Sequence, residues 1–367
     1  MSVFGTRPEA IKMAPVVKAL EADENFESIV CVTAQHREML DQVLDLYDIT
    51  PDYDLNIMKA GQTLSQITSR VIQGLEDVIK EAKPDMIFVH GDTTTTFSAA
   101  LAAFYNGVQV GHVEAGLRSN DKLSPFPEEM NRSLTGRIAD LHFAPTEGNI
   151  KNLKSEGIKM DSVVMTGNTV IDAMMQVLED GYAFGNDDLD HIDYENKRVV
   201  LLTSHRRENL GEPMENIFGA CREVVDTFED VELVFPMHLN PRVREIAKKH
   251  LDNHERIHLI EPLEYKPFQN LINKSYLILT DSGGIQEEAP ALGKPVLVLR
   301  TETERPEAME AGTVELAGVK RERIVELATK LLSNQAEYDR MSQATNPYGD
   351  GKACVRIIDA LKDYYKL

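Results

Sequence analysis

No CxxC pair occurs anywhere in this chain. Its three cysteines, Cys31, Cys221 and Cys354, stand far apart. That excludes a cysteine zinc site and a disulfide framework, and fits reduced, buried thiols in a cytoplasmic protein. Long apolar runs are missing too. None reaches the ~18 residues of a membrane-spanning helix. No basic n-region followed by an apolar run opens the chain, so a signal peptide is not expected. Positive charge is scarce: 39 basic residues against 60 acidic ones give a formal net charge of -21. Such a field repels nucleic acid and anionic membrane, but does not forbid a small anionic ligand in a local pocket. GxGxxG, HExxH, GxSxG and a P-loop are all absent, so a fingerprint dinucleotide site, a zincin site and a nucleophile elbow have no support. There is little sign of low complexity or of repeats.

What is present is alternation. At 367 residues and 42% hydrophobic content, two domains are expected. Short apolar runs read as strands at 29–33, 86–90, 108–113, 141–145, 162–167, 199–204, 231–236, 256–260, 276–280 and 295–300. They lack period-two alternation, as suits strands buried on both faces of a parallel sheet. The opening "SVF" also reads as a strand, though a short one, as expected of a chain that begins a few residues inside its natural start. Helical patterns lie between. "PEAIKMAPVVKALEAD" has apolar residues at Met13, Val16, Val17 and Leu20, with Pro15 implying a kink or a restart. "TTTTFSAALAAFYNG" ends at Gly107, where a helix C-terminus would place it. Two doubly wound α/β units follow, divided near 168 ahead of the acidic stretch "EDGYAFGNDDLDHIDYENKR".

Several strand ends run into chemistry-bearing residues. Arg7 and Lys12 follow the first strand; they are either solvated surface charges or a grip on an anion at a helix N-terminus. Asp92 in "VHGDTTTT" is either a helix cap or a ligand contact at a strand end. Glu114 in "GHVEAGLRS" is either half of a surface pair with Arg118 or a functional acid. Glu128 and Glu129 in "SPFPEEMNR" suit a helix N-terminus in any case. His205, Arg206 and Arg207 directly follow a buried strand, a hinge of surface charges or a phosphate-facing group. "TDSGGIQEEAPALG" offers Ser282, Gly283 and Gly284 as an anion site at a helix start, with Glu288 one turn on for a ribose diol. A plain βα turn is the other reading. Arg305 follows a further strand, where an ordinary salt bridge would also explain it.

Taken together, "FGTRPEAIKMAP", "TAQHREMLDQVL", "HGDTTTT", "GHVEAGLRS", "PFPEEMNR", "SHRRENLG", "LTDSGGIQEEAPALGKPVLVLR", "TERPEA" and "NPYGDGKA" resemble the bacterial non-hydrolysing UDP-N-acetylglucosamine 2-epimerases, over nearly the whole chain. The resemblance implies a GT-B fold, α/β, with two Rossmann-like doubly wound domains facing a deep cleft. Residues 1–167 would form the first domain, 168–349 the second, and a helix at about 350–367 would return to the first. It implies a homodimer and no cofactor or metal. It makes Asp92, Glu114, Glu128 and His205 catalytic. Arg7, Lys12, Phe268, Ser282, Gly283, Gly284, Glu288 and Arg305 would contact UDP-N-acetylglucosamine or UDP-N-acetylmannosamine, with Phe268 near the uracil. Many relatives have Gln where Leu263 stands. Gln35, His36 and Arg37 fall where a regulatory second-substrate site would begin. Glu38 and Gly61 replace residues that some relatives use there, so activation is expected to be weak.

The sugar C2–H is not adjacent to a carbonyl, so direct proton abstraction is too costly. Elimination of UDP through a 2-acetamidoglucal is the expected route. A hydrolysing epimerase, a GT-B glycosyltransferase and a non-catalytic UDP-sugar sensor are the alternatives. A sensor would not require Asp92, Glu114 and His205 together.

Overall fold

The computed structural model describes residues 1–34 and 37–367. The chain divides into two compact units, Met1–Gln176 with Tyr348–Leu367, and Val177–Pro347.

Seven parallel strands form the sheet of the first unit. In chain order they are β1 (Ser2–Phe4), β2 (Val30–Val32), β3 (Tyr53–Asp54), β4 (Met86–His90), β5 (Gln109–Val113), β6 (Leu141–Ala144) and β7 (Val163–Met165). Across the sheet the order is β3-β2-β1-β4-β5-β6-β7. Winding runs outward in one direction from β1 and in the other from β4. This leaves a crevice beyond the C-terminal ends of that pair, where open parallel sheets bind ligands. The helix that follows β1 carries Arg7 and Lys12, and the turn after β4 carries Asp92. The core explains how they are held there. Helix Thr94–Tyr105 buries Ala99, Ala100, Ala102 and Ala103, small side chains that let it pack closely with Val71 and Leu75 of helix Leu64–Ala82 and with Val3, Ile87 and Val89 of the sheet.

The second unit repeats the plan with β8 (Arg198–Thr203), β9 (Val231–Pro236), β10 (Ile257–Ile260), β11 (Leu277–Thr280), β12 (Val296–Val298) and β13 (Val314–Leu316), in the order β10-β9-β8-β11-β12-β13. Its core joins Val200, Leu202, Leu279 and Leu297 of the sheet to Phe218, Phe235 and Ile324. The switch point here lies between β8 and β11, paired with Thr203 opposite Thr280, and His205 and Ser282–Gly284 follow these two strand ends. Two doubly wound units in tandem are the α/β architecture of the GT-B class. Among the described residues, no helix is long and apolar enough to cross a membrane.

Some expectations change. β3 and β13 were not expected; both are edge strands, short and only partly buried, so neither shows the continuous apolar run of an inner strand. Helix Arg7–Glu21 continues through Pro15 without a restart; Pro15 forfeits one backbone bond but lies buried. The first unit extends to Gln176 rather than to 167. Helix Thr169–Val177 buries Val170, Ile171, Ala173 and Met174, and the Tyr47 hydroxyl donates to the Ala173 carbonyl at 2.9 Å. The Asp172 carboxylate accepts the N–H groups of Ala353 and Cys354 at 3.1 and 2.9 Å. It thereby caps the returning helix Ala353–Tyr365, which packs on helix Arg7–Glu21.

The return of the chain at Tyr348 depends on glycine. Gly167 has φ +84, and a Cβ there would lie 3.2 Å from the Gly349 Cα and 3.3 Å from the Tyr348 oxygen. That same oxygen accepts the Asn168 N–H at 2.7 Å. Gly167→Ala is expected to cost about 1–3 kcal/mol from strain and backbone displacement. A urea midpoint unchanged from the wild type would count against this close approach.

Candidate active site

The first unit gathers its acids around the ends of β1, β4 and β5. Gly91 follows β4 with φ +65, and Glu114 follows β5 with φ +60, a left-handed backbone unusual for a residue with a side chain. A Cβ on Gly91 would lie 3.6 Å from Glu114 Oε1, so the turn after β4 passes directly beside that carboxylate. Lys12 Nζ makes a short ion pair with Glu114 Oε2. Asn168 Nδ2 donates to the same oxygen at 2.9 Å, and His90 Nε2 stands 3.5 Å from it. Burial pushes the Glu114 carboxyl up, but the cationic Lys12 and the His90 ring outweigh that and hold it well below the usual carboxylate range.

Asp92 is unlike it. Burial is the largest influence and raises its carboxyl above the ordinary value, although Arg132 opposes the shift. Arg132 Nη2 lies 2.7 Å from Asp92 Oδ2, and Asn131 Nδ2 donates to the Asp92 carbonyl at 3.0 Å. Helix Thr94–Tyr105 is capped by Thr93, whose hydroxyl accepts from the Thr96 N–H, so Asp92 is not its cap. Nor does Glu114 pair with Arg118, which forks onto Glu156 at 2.5 and 2.9 Å. The two glutamates at the start of helix Glu128–Ile138 also part company. Glu129 turns inward to accept the N–H groups of Ser119 and Asn120 at 3.0 and 2.9 Å. Glu128 Oε2 is buried with no hydrogen-bond partner among the described residues, as a group awaiting a ligand would be.

Glu9 braces these loops. It is 1% exposed, and its Oε2 accepts the Gly5 and Thr6 N–H groups at 3.1 and 2.8 Å. Its Oε1 accepts from Thr93 Oγ1 at 2.6 Å and from Thr96 Oγ1 at 3.2 Å. One carboxylate therefore ties the Gly5–Thr6 loop, at the head of the helix bearing Arg7 and Lys12, to the turn bearing Asp92. Arg7 opens its helix, half-buried, with no ion-pair partner among the described residues. Gln35 and His36 lie outside the described residues. Arg37 is engaged by Asp54 at 2.7 Å, by Asn56 at 3.1 Å and by Asp41 at 3.4 Å.

In the second unit Asp281 is fully buried after β11. Its Oδ2 accepts from Ser204 Oγ, the His205 and Arg206 N–H groups and Asn209 Nδ2, at 2.8–3.1 Å. Oδ1 lies 3.1 Å from His205 Nδ1. Burial acts to raise the Asp281 carboxyl, yet the His205 contact and the backbone donors leave it below its ordinary value. The His205 ring also stacks on His238, with centroids 5.7 Å apart. Gly283 and Gly284 have open space where a Cβ would stand, so their backbone is approachable. Glu288 is buried in helix Ile285–Ala291. Phe268 is half-buried in helix Tyr265–Lys274. Arg305 makes a short pair with the buried Glu287, which supplies the salt bridge that was one reading of this arginine.

The model of the family described as UDP-N-acetylglucosamine 2-epimerase matches residues 18–362. The chain belongs to that family. It is 59% identical over 365 residues to the UDP-N-acetylglucosamine 2-epimerase of Bacillus subtilis, covering 100% of this chain and 95% of the relative. Identity to the Escherichia coli K12 enzyme of the same name is 54%, over 99% of this chain and 98% of the relative. The crystal structure of the Neisseria meningitidis UDP-GlcNAc 2-epimerase bound to UDP-GlcNAc superposes with a TM-score of 0.83 at 51% identity, over 99% of each chain. Within this family member, the residues to which the strand-end patterns gave no ligand role are Glu9, His90, Arg132, Asn168 and Asp281. Glu9 had a local signal in the Thr6-x-x-Glu9 capping box. The other four act through partners far away in sequence.

Proposed function

We propose that this chain interconverts UDP-N-acetylglucosamine and UDP-N-acetylmannosamine without hydrolysis, by eliminating UDP and adding it back. The observation that carries the reading is the set of unlike carboxyls around β4 and β5: Asp92 pushed up by burial, Glu114 held low by Lys12 and His90, and Glu128 with a buried oxygen that has no hydrogen-bond partner among the described residues. Acid–base pairs are recognised by environments that drive their values apart.

The C1–O bond breaks, and its electron pair leaves on the diphosphate. Positive charge spreads over C1 and the ring oxygen, which acidifies C2–H. A carboxylate removes that proton, and the C–H electrons close the C1–C2 double bond of 2-acetamidoglucal. A proton then returns to C2 from the opposite face, and UDP oxygen re-forms the bond to C1. Asp92, Glu114 and Glu128 share the proton work. Arg7, His205 and the Ser282–Gly284 turn receive the leaving diphosphate, and Phe268, Glu288 and Arg305 belong to the nucleotide half. The route transfers no hydride, so it calls for no NAD. The proposal includes a homodimer; the exposed Phe104 and Tyr105 ending helix Thr94–Tyr105 offer apolar surface for it.

The test is turnover in deuterated water. Either sugar nucleotide is expected to yield the other with one deuterium at C2. Release of free N-acetylmannosamine would instead favour a hydrolysing enzyme, and epimer formed with no solvent label at C2 would overturn the exchangeable proton route.

A further inference from the structure

We infer that Asp281 is a positioning residue that fixes the ring of His205 by its Nδ1 and so sets which nitrogen, Nε2, is presented to the leaving diphosphate. The inference rests on the role proposed above for His205. Asp281 divides its carboxylate in two. Oδ2 accepts four donors from the 204–209 turn, which is all that bracing this turn requires. Oδ1 takes no part in that bracing. It is buried, has no hydrogen bond of good geometry among the described residues, and stands 3.1 Å from His205 Nδ1, so a small turn of the ring lets it accept from that nitrogen. An ionised carboxylate only accepts hydrogen bonds, so a ring nitrogen held beside it is stabilised with its proton on. With Nδ1 keeping its proton, Nε2 donates to the diphosphate only as the N–H of an imidazolium, the charged ring that the adjacent carboxylate favours and a neutral amide does not.

The surroundings restrain the ring further. His238 stacks at an interplanar angle of 19°, which opposes rotation about the Cβ–Cγ bond, while the His205 N–H is itself anchored on Asp281 Oδ2 at 2.8 Å. Backbone and side chain of one residue are thus referenced to the two oxygens of one fully buried acid. The arrangement follows from strand pairing: Thr203 and Thr280 stand opposite each other at the ends of β8 and β11, so the residues just beyond them meet. About 40% of the His205 side chain stays exposed, which leaves part of the ring open to a ligand.

Asp281→Asn separates the two tasks. Its amide oxygen can keep the Oδ2 donors while its NH2 faces Nδ1 and donates to it, which forces the ring proton onto Nε2. In nitrogen-15 spectra of histidine-labelled protein at alkaline pH, with the His205 signals assigned against His205→Ala, the wild type is expected to show the Nδ1–H tautomer and Asp281→Asn the Nε2–H tautomer. Turnover should fall roughly 10²-fold, while the Kd for UDP changes by less than about threefold. Ser204→Ala, which removes one Oδ2 donor and leaves Oδ1 alone, should stay within about threefold of wild-type turnover. An unchanged tautomer in Asp281→Asn, or a Ser204→Ala enzyme as slow as Asp281→Asn, would reduce Asp281 to a brace of the turn. Absence of wild-type epimerisation would instead sink the proposed function, and the tautomer measurement would stand apart from it.

Discussion

Replacing Glu114 by glutamine is expected to lower epimerase turnover by roughly 10²- to 10⁴-fold, the range contributed by a positioned acid–base group. The same change alters how stability depends on pH. Glu114 is held below the ordinary carboxyl value because Lys12 and His90 together outweigh its burial. A group depressed in the folded state stabilises it in full above the unfolded value, about 4.3 for glutamate. That contribution is lost as pH falls from there through the lower folded value. In Glu114→Gln this part of the acid limb should disappear, and stability at neutral pH should also drop because the Lys12–Glu114 ion pair is lost. Urea midpoints followed from neutral pH down to about pH 3 measure both. An acid limb unchanged from the wild type would mean that Glu114 is not the depressed group. Turnover within about threefold of wild type would remove it from the chemistry.

A second large effect is expected at a residue that touches no reacting atom. Glu9→Ala removes the acceptor for the Gly5 and Thr6 N–H groups and for the Thr93 hydroxyl, all in a site that excludes water from the carboxylate. Leaving buried donors unmade is more costly than a net hydrogen bond is stabilising. The expected loss is about 2–4 kcal/mol, read as a lower urea midpoint. Turnover should fall as well, because this carboxylate joins the start of the helix of Lys12 to the turn of Asp92. Glu9→Gln provides the internal comparison. Its oxygen can keep the two backbone donors, and its NH2 can donate to the Thr93 hydroxyl, which accepts as readily as it donates. The glutamine variant should therefore lose less than half of what alanine loses. If the two variants were equally destabilised, negative charge rather than hydrogen bonding would be the decisive property of Glu9. If neither were destabilised, the bracing role would be wrong.

The extent to which the chain was legible before folding differs by element. Inner strands such as β4 and β8 announce themselves because burial on both faces demands a continuous apolar run, whereas β3 and β13 need only one paired edge and carry polar residues. Gly107 and Gly293 mark helix ends because each takes a positive φ, +70 and +65, that other residues adopt only with strain. Pro15 pointed to a kink or a restart, and the helix does not restart: it runs unbroken from Arg7 to Glu21.

Sequence by itself determined the class of fold, two rounds of strand–helix alternation, and the places where chemistry would gather, because strand ends and helix starts are local features. It also determined the family, through motifs in a fixed order. Pairing was decided only by the tertiary structure. Lys12 meets Glu114 across 102 positions and Asn168 meets it across 54, while Asp281 reaches the His205 backbone across 76. Arg118, four residues from Glu114, turns to Glu156 instead. Asp92 and Glu114 look alike in the sequence, each just past an apolar strand, and yet their carboxyls move in opposite directions. The reason is physical: a carboxyl's proton affinity depends on desolvation and on charges within a few ångströms, and those neighbours are assembled by sheet order, which no local stretch of sequence contains.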